Sequence, residues 1–259
     1  MLDDIVLGKQ EEVEMAKGRL PLEDLKARVA HHLAERNVRK ALNVPGTLSL
    51  IAELKRKSPS RGMLRERFDP VQLGQALQGA GAAALSVLTD EPYFGGHLDF
   101  LRDVKQFTEV PILRKDFVID PYQVYEAAFY GADAILLMVR ILTEEQLAQC
   151  LQAADSVGLE ALVEVHSIGE LAVAVDAGAH TIGINHRDLR TLTLDPSLSE
   201  QLIPRIPKGK LIVAESGIQT PEDVQRMKRL GVHAVLIGEA LMKAPDPAAK
   251  VRELFAGTW

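Results

Sequence analysis

The sequence predicts an α/β fold, a (β/α)8 TIM barrel with a helical extension before its first strand. Short apolar runs rich in Ile, Leu, Val and Ala recur along the 259 residues, and a helical segment follows each of them. Strands that are covered on both faces have this composition, and one βα unit occupies roughly 30 residues. The strand-like runs are 48–54, 83–89, 111–117, 132–139, 160–166, 181–185, 210–216 and 233–238. Eight alternating units favour a closed barrel, and the alternative, an open doubly wound sheet, lacks a GxGxxG turn after the first run.

The ends of the helices are marked by capping residues. Asp69, Asp120 and Thr220 each precede a proline, which is the pattern of an N-cap followed by proline in the first turn. Thr143 and Ser167 are also predicted N-caps, and Ser167 with Glu170 fits a capping box. Glycines at 81, 131, 158, 178 and 231 follow helical stretches, where a left-handed residue commonly ends a helix.

Residues 1–47 precede the first predicted strand and form the helical extension. Apolar residues such as Ile5 and Val13 predict one amphipathic helix, and Leu25, Val29 and Leu33 predict one or two more. Two interpretations are open, a plug for the lower mouth of the barrel and a lid near the active face. Because no linker rich in Pro, Gly or Ser follows, we predict one structural domain, with the barrel at 48–259.

Composition and charge limit the classes of partner. The formal net charge is −6 at pH 7, which argues against nucleic acid or an anionic membrane as the main partner. The acidic N-terminus does not resemble a signal peptide, and no apolar run reaches the about 18 residues of a membrane span. The lone thiol, Cys150, cannot form an intrachain disulfide, and its position in a helical pattern predicts an inert, partly buried side chain. We therefore expect a cytoplasmic protein.

Charged side chains stand at the C-terminal ends of several predicted strands, where barrels place their active sites. Residues two apart share a face of a strand, so Glu53 and Lys55 point the same way. By the same parity Lys115, Glu164 and Glu215 face inward if the apolar residues two positions before them do, and so does Asn185. Such a cluster predicts general acids and bases whose pKa values move toward neutrality. The alternative is a structural network of ion pairs that plugs the barrel.

Motifs of other chemistries are missing. The sequence contains no GxSxG, GxxxxGK[ST], HExxH or CxxC pattern, and His97, His166 and His186 do not have the spacing of metal ligands. We expect no metal and no cofactor.

Two late turns predict a phosphate site. Ser216-Gly217 and Gly238-Glu239 follow the seventh and eighth strands, where backbone N–H groups of barrels often bind phosphate. Ser58, in the turn after the first strand, adds a hydroxyl. A carboxylate beside an anion is unfavourable, so we expect the Glu239 side chain to point away.

Seven segments resemble the signature segments of the indole-3-glycerol-phosphate synthase family, in order and spacing. They are IAELKRKSPSRG, SVLTDEPYFGG, ILRKDFVIDPYQ, ALVEVH, GINHRDL, VAESGI and LIGEALM, and the likeness spans nearly the whole chain. The resemblance implies ring closure, decarboxylation and dehydration of 1-(o-carboxyphenylamino)-1-deoxyribulose 5-phosphate in tryptophan biosynthesis. Position 186 departs from the pattern, because it is His where the family more often has Asn or Ser.

The resemblance also implies roles for individual residues. Lys115 would be the general acid of ring closure, Glu164 the base of the dehydration and Lys55 its acid partner, while Glu53 would orient both lysines. The implied substrate-binding residues are Asn185, Arg187, Glu215, Ser216, Phe94 and Phe117. The implied phosphate-binding residues are Ser58, Gly217, Gly238 and Glu239. Arg187 with Lys55 would hold the anthranilate carboxylate, and the two phenylalanines would wall the aromatic ring.

Two rival functions are also open. One is a neighbouring phosphate-binding barrel similar to phosphoribosylanthranilate isomerase, which would need a Cys/Asp pair at strand ends, whereas Cys150 lies in a predicted helix. The other is a non-catalytic phosphate-binding barrel. As partners we expect a phosphorylated small molecule and no nucleic acid or membrane, in a monomer or weak homo-oligomer.

Overall fold

A closed barrel of eight parallel strands forms the centre of the molecule. The computed structural model describes residues 2–30 and 36–259. The strands are β1 (Ser49–Leu54), β2 (Ala84–Leu88), β3 (Ile112–Lys115), β4 (Ala134–Met138), β5 (Glu160–Val165), β6 (Thr181–Asn185), β7 (Leu211–Glu215) and β8 (Ala234–Ile237). Each strand pairs with the next, and β8 pairs with β1, with Ser49 opposite Ala234. The predicted barrel is confirmed, and each predicted run contains one strand.

Helices surround the barrel and precede it. They are α1 (Leu2–Arg19), α2 (Leu22–Val29), α3 (Val38–Leu42), α4 (Pro70–Gly79), α5 (Glu91–Phe94), α6 (Asp99–Phe107), α7 (Pro121–Phe129), α8 (Glu144–Ser156), α9 (Ile168–Asp176), α10 (Leu198–Leu202), α11 (Pro221–Arg229), α12 (Glu239–Lys243) and α13 (Pro247–Leu254). Short 3-10 turns cover Val139–Ile141 and Ile203–Arg205, and Lys57–Ser58 pairs with Gly62–Met63 after β1. No helix in the described ranges is long and apolar enough to span a membrane.

Most of the predicted helix ends are confirmed. The five predicted N-caps accept backbone N–H bonds at the starts of α4, α7, α8, α9 and α11. The five predicted glycines all have positive φ. The predicted capping box at Ser167 is wrong in one half, because the Glu170 carboxylate accepts from the backbone N–H of His166 at 2.7 Å, one residue before the cap.

The extension contacts both ends of the barrel. On α3, Val38 and Leu42 belong to the apolar cluster that fills the barrel interior, next to the N-terminal ends of the strands. On α1, the buried Lys9 ammonium lies 2.9 Å from the Asp116 carboxylate, which follows the C-terminal end of β3. The position of α3 therefore matches the interpretation as a plug of the lower mouth, whereas α1 lies beside the upper mouth. The predicted contribution of Leu33 falls outside the described residues.

Two apolar layers position the site. One lies between strands and helices and includes Cys150 on α8, where burial raises the pKa of the thiol to about 12. The other fills the barrel interior and includes Leu113, Leu162 and Val213. Because side chains alternate along a strand, the residues two positions further on reach the upper mouth. Those residues are Lys115, Glu164 and Glu215.

Candidate active site

A single cavity at the C-terminal ends of the strands contains the predicted site. Its volume is about 1000 Å³ including the open mouth, which is large enough for a small phosphorylated substrate. The fourteen predicted site residues all line it: Glu53, Lys55, Ser58, Phe94, Lys115, Phe117, Glu164, Asn185, Arg187, Glu215, Ser216, Gly217, Gly238 and Glu239. The structure thus brings them together, and their individual roles stay predictions.

Lys115 lies at the centre of the charged floor of this cavity. Its ammonium is 3.0 Å from Oε2 of Glu164 and 2.9 Å from Oε2 of Glu215, which extend from β5 and β7. Lys55 directly follows β1, and its ammonium donates to Oε1 of Glu53 on that strand, so the second lysine is paired with a residue two positions before it. Three carboxylates and two ammonium groups from four strands therefore share one mouth.

The pKa values in this floor move in opposite directions. Burial opposes the charge of Lys115, but the carboxylates of Glu164 and Glu215 outweigh it and raise the pKa of the ammonium. Burial also opposes the charge of Glu164, and Lys115 lowers its pKa below the usual range. Burial raises the pKa of Glu215 to about 7, since Lys115 cannot compensate two adjacent carboxylates fully. The expected shift toward neutrality therefore holds for Glu215 and is wrong for Lys115 and Glu164.

Two glycines make room for these carboxylates. A Cβ atom at Gly183 on β6 would collide with Oε1 of Glu215, and one at Gly238 after β8 would collide with Oε1 of Glu53. Gly238 was predicted only as a phosphate contact, and the role of Gly183 was not predicted. A glycine inside a strand often marks a place where another group comes close to the backbone. Gly183, inside the predicted run 181–185, was the one signal of this kind in the sequence.

The turn of the predicted phosphate cradle after β7 has an unusual backbone conformation. Ser216 has a φ of 65° and Gly217 a φ of 77°, so two consecutive residues after β7 are left-handed. Such a conformation is costly for serine and is typical of functional sites. Gly238 immediately precedes α12, and Ser58 lines the same cavity.

Contrary to expectation, the side chain of Glu239 does not point wholly away from the cavity. Oε1 binds Lys243 at 2.7 Å on the outside, but Oε2 lies 3.5 Å from the guanidinium of Arg187, which lines the cavity. Arg61 also lies 3.1 Å from Oε1. These three cations compensate the carboxylate beside the cradle and lower its pKa, against the effect of burial.

His186 is a structural support behind the cradle. Its Nδ1 lies 2.9 Å from the carbonyl oxygen of Ser216, and its Nε2 lies 2.7 Å from the hydroxyl of Ser199. Burial lowers the pKa of the ring. The ring does not line the cavity. The histidine at position 186, where the family more often has Asn or Ser, therefore does not place its ring against the substrate site.

One side of the cavity is apolar. The rings of Phe94 and Phe117 lie with centroids 5.9 Å apart at an angle of 42°, and Leu88, Met138 and Leu236 complete the wall. A flat aromatic group fits such a wall, and the charged floor lies next to it. Among the described residues, no group of three or more His, Cys, Asp or Glu side chains has the geometry to hold a metal ion.

Comparisons with known proteins agree with this geometry. A family model described as indole-3-glycerol phosphate synthase matches residues 2–254. The chain belongs to the indole-3-glycerol phosphate synthase family. It is 42% identical over 262 residues to the indole-3-glycerol phosphate synthase of Carboxydothermus hydrogenoformans, covering 98% of this chain and 99% of the relative. It is 45% identical over 258 residues to that of Dehalococcoides mccartyi, with the same coverage.

Membership in the indole-3-glycerol phosphate synthase family confirms the predicted activity. The chain is a carboxy-lyase of tryptophan biosynthesis that acts on a phosphorylated small molecule. The family match counts against both rival functions, the isomerase-like barrel and the non-catalytic barrel.

More distant solved structures share the fold of this family. A 3-hexulose-6-phosphate synthase from Salmonella typhimurium superposes with a TM-score of 0.65 at 15% identity, covering 80% of this chain and 96% of the other. KGPDC from Streptococcus mutans gives a TM-score of 0.63 at 14% identity, covering 80% of this chain and 95% of the other. At such low identity these likenesses show the barrel fold alone.

Proposed function

We propose that this chain forms indole-3-glycerol phosphate by acid–base catalysis, with Lys115 as the central acid. The observation that supports this most is the Lys115 ammonium, held between two carboxylates from different strands at the floor of the cavity. An apolar wall on one side and a predicted anion cradle on the other match a substrate with an aromatic ring at one end and a phosphate at the other.

Lys115 protonates the ketone oxygen while the aryl carbon attacks. Its raised pKa keeps the group an ammonium when the substrate binds, so the proton is present when negative charge develops on the oxygen. Two carboxylates hold the ammonium from below, which leaves its third N–H direction for the ligand. A positioned acid of this kind contributes about 10²–10⁴-fold in rate.

Decarboxylation follows ring closure and needs little from the protein. Arg187 and Lys55 hold the anthranilate carboxylate until CO2 leaves and the benzene ring regains its aromaticity. Both cations line the cavity, and the backbone N–H of Arg187 donates to Asn185 Oδ1 at 3.0 Å, which fixes this turn. The step needs no electron sink, and we propose that the enzyme uses no metal or cofactor.

The dehydration uses the other acid–base pair. Glu164 accepts the proton lost from carbon, since its lowered pKa keeps it ionised. Lys55 protonates the leaving hydroxyl, and Glu53 orients Lys55 through their hydrogen bond. The proton that leaves the Lys55 ammonium is carried away in the water that departs.

The remaining cavity residues hold the substrate. Asn185, Glu215 and Ser216 bind the sugar hydroxyls, and Phe94 with Phe117 walls the ring. The phosphate is bound by Ser58, Gly217, Gly238 and the backbone N–H of Glu239. The chain would act in the cytoplasm, as a monomer or weak homo-oligomer, without nucleic acid, and its formal charge of −6 supports this last point.

A direct assay tests the proposal. The purified protein is supplied with 1-(o-carboxyphenylamino)-1-deoxyribulose 5-phosphate, and indole fluorescence is followed with time. We expect product formation that persists after dialysis against EDTA. An unchanged signal over hours, from protein that melts cooperatively, would refute the function, and loss of activity with EDTA would refute its metal-free form.

A further inference from the structure

His166 lies directly behind the proposed base, where the reaction scheme above does not use it. It is two residues beyond Glu164 at the end of β5, and its side chain is 3% exposed. Its Nε2 faces Oε1 of Glu164 at 3.4 Å, and its Nδ1 faces Oε2 of Glu170 on α9 at 3.2 Å. One imidazole ring therefore lies between two carboxylates.

The state of protonation of this ring follows from its two neighbours. Both partners are carboxylate oxygens, which accept hydrogen bonds and donate none when ionised. A neutral imidazole has one N–H and can serve only one of them, whereas an imidazolium serves both. Nε2 of His166 and Oε1 of Glu164 are both buried, and neither atom has a hydrogen bond within the described residues, so their polar contact there is the 3.4 Å ion-pair distance between them. A proton on each nitrogen gives the ring a positive charge that faces both carboxylates, whereas a neutral ring leaves one carboxylate without a donor.

The surroundings of the ring fix it firmly. Glu170 also accepts from the backbone N–H of His166, and its Oε1 accepts from Nε of Arg140 at 3.1 Å. Arg140 extends this chain to Asp188, 2.9 Å away and partly exposed. The charged groups that face the ring are thus Glu164 from its own strand, Glu170 from α9 and the cation of Arg140. Two negative charges outweigh one positive charge.

We propose that His166 is a positioning residue for Glu164, acting as an imidazolium that holds Oε1 while Lys115 holds Oε2. With both oxygens fixed, the carboxylate plane of Glu164 is set for proton abstraction, and two cations keep the group ionised. This inference rests on the proposed role of Glu164 as the base of the dehydration. Glu170 and Arg140 are the outer supports that keep the ring in place.

The proposal predicts how the rate depends on pH. Burial opposes the charge of His166, but Glu170 and Glu164 outweigh it, so its pKa is raised above 6.5. The imidazolium is present below that raised pKa and is lost as the pH rises through it. The value of kcat for dehydration should therefore fall on the alkaline side with the titration of His166.

Replacing His166 tests this directly. In His166→Asn an amide that does not titrate replaces the ring, and we expect kcat to fall about 10–100-fold, the range found when a group that orients a metal-binding residue is removed, with little change in KM. The alkaline fall of kcat should disappear. Glu170→Gln should instead move this fall to lower pH, because one of the two carboxylates is lost. The matched control is His233→Asn, which alters a half-buried histidine at the other end of the barrel.

Three outcomes would overturn the inference. One is a His166→Asn enzyme with kcat within about twofold of the wild type, and another is an alkaline fall that persists in this variant. The third needs no variant: nitrogen NMR of the wild-type ring at neutral pH should show both nitrogens protonated, and a neutral ring refutes the proposal even if His166→Asn does not fold. Failure of the wild type to form product would refute the proposed function instead, since the NMR result does not depend on it.

Discussion

Two clusters of charged residues meet at the C-terminal end of β3, and their carboxylates differ in hydrogen bonding. The mouth cluster consists of Lys115, Glu164 and Glu215. The anchor cluster consists of Lys9, Asp116 and Arg114. Each holds a lysine close to carboxylates, at 2.9 and 3.0 Å for Lys115 and at 2.9 Å for Lys9 with Asp116. Lys115 and Asp116 are adjacent in sequence, so these two neighbouring residues contribute one member to each cluster.

The clusters differ in how completely their oxygens are bonded. In the anchor cluster, one oxygen of Asp116 accepts from Lys9 and the Phe117 N–H, and the other accepts from Thr89 and Arg114. In the mouth cluster, Oε1 of Glu215 is buried without a hydrogen bond within the described residues. Burial opposes the charge of both groups, but the pKa of Asp116 is lowered and that of Glu215 is raised to about 7. A carboxylate whose oxygens all accept hydrogen bonds stabilises the fold, whereas a carboxylate with an oxygen that accepts none can bind a ligand.

The largest expected effect is on catalysis at the mouth cluster. Lys115→Ala removes the ammonium that protonates the ketone oxygen, and we expect kcat to fall by at least about 10²-fold with the fold intact. Steady-state kinetics with circular dichroism measures this. Lys208→Ala, at an exposed loop position, is the control. Near-normal turnover by the Lys115 variant would remove this residue from its role.

The next effect separates two steps of the same reaction. Glu164→Gln keeps the shape of the side chain but cannot accept a proton, so dehydration should slow by about 10²-fold or more while ring closure slows less. Rapid-quench single-turnover experiments should show the cyclised, decarboxylated intermediate accumulating. Equal slowing of both steps, with no accumulation, would contradict the assignment of Glu164 as the base of the dehydration.

The anchor cluster should show the reverse pattern. Lys9→Met leaves Asp116 and Asp90 buried with less compensation, and breaking a buried ion pair costs about 3–5 kcal/mol. We expect that loss in the free energy of unfolding, measured in urea, and a smaller change in kcat than for Lys115→Ala. Lys26→Met on α2, whose partner Glu23 is exposed, is the control. A large loss of kcat at unchanged stability would erase the distinction between the clusters.

The smallest effect concerns the pH dependence of stability. Glu215 has its pKa raised to about 7 in the fold, so between its unfolded value and about 7 the native state holds a proton that the unfolded chain releases. Its contribution to stability therefore declines as the pH rises through this window and is constant above it. Glu215→Gln should remove this decline. Urea titrations at several pH values test it, and an identical slope in both proteins would refute the raised pKa.

The barrel and the inward face of its strands were predictable from local pattern. Alternation along β5 places Glu164 beside the mouth from sequence alone, and proline after Asp120 or Thr220 marks a helix start without any tertiary contact. The anchor cluster was not predictable, because Lys9 and Asp116 are distant in sequence and meet only in the folded chain, and a lysine on an amphipathic helix is usually solvated. The sign of each pKa shift was equally out of reach, since it depends on distances of about 3 Å between strands.

The gaps at Gly183 and Gly238 constrain how this mouth can change. At each glycine, the carboxylate of a residue on a neighbouring strand occupies the space that a Cβ atom would need. An alanine at either glycine would displace an acid before it changed the backbone. Any redesign of this barrel for another substrate must therefore alter Glu215 or Glu53 first and the glycine second, and the reverse order passes through a protein with a misplaced charge.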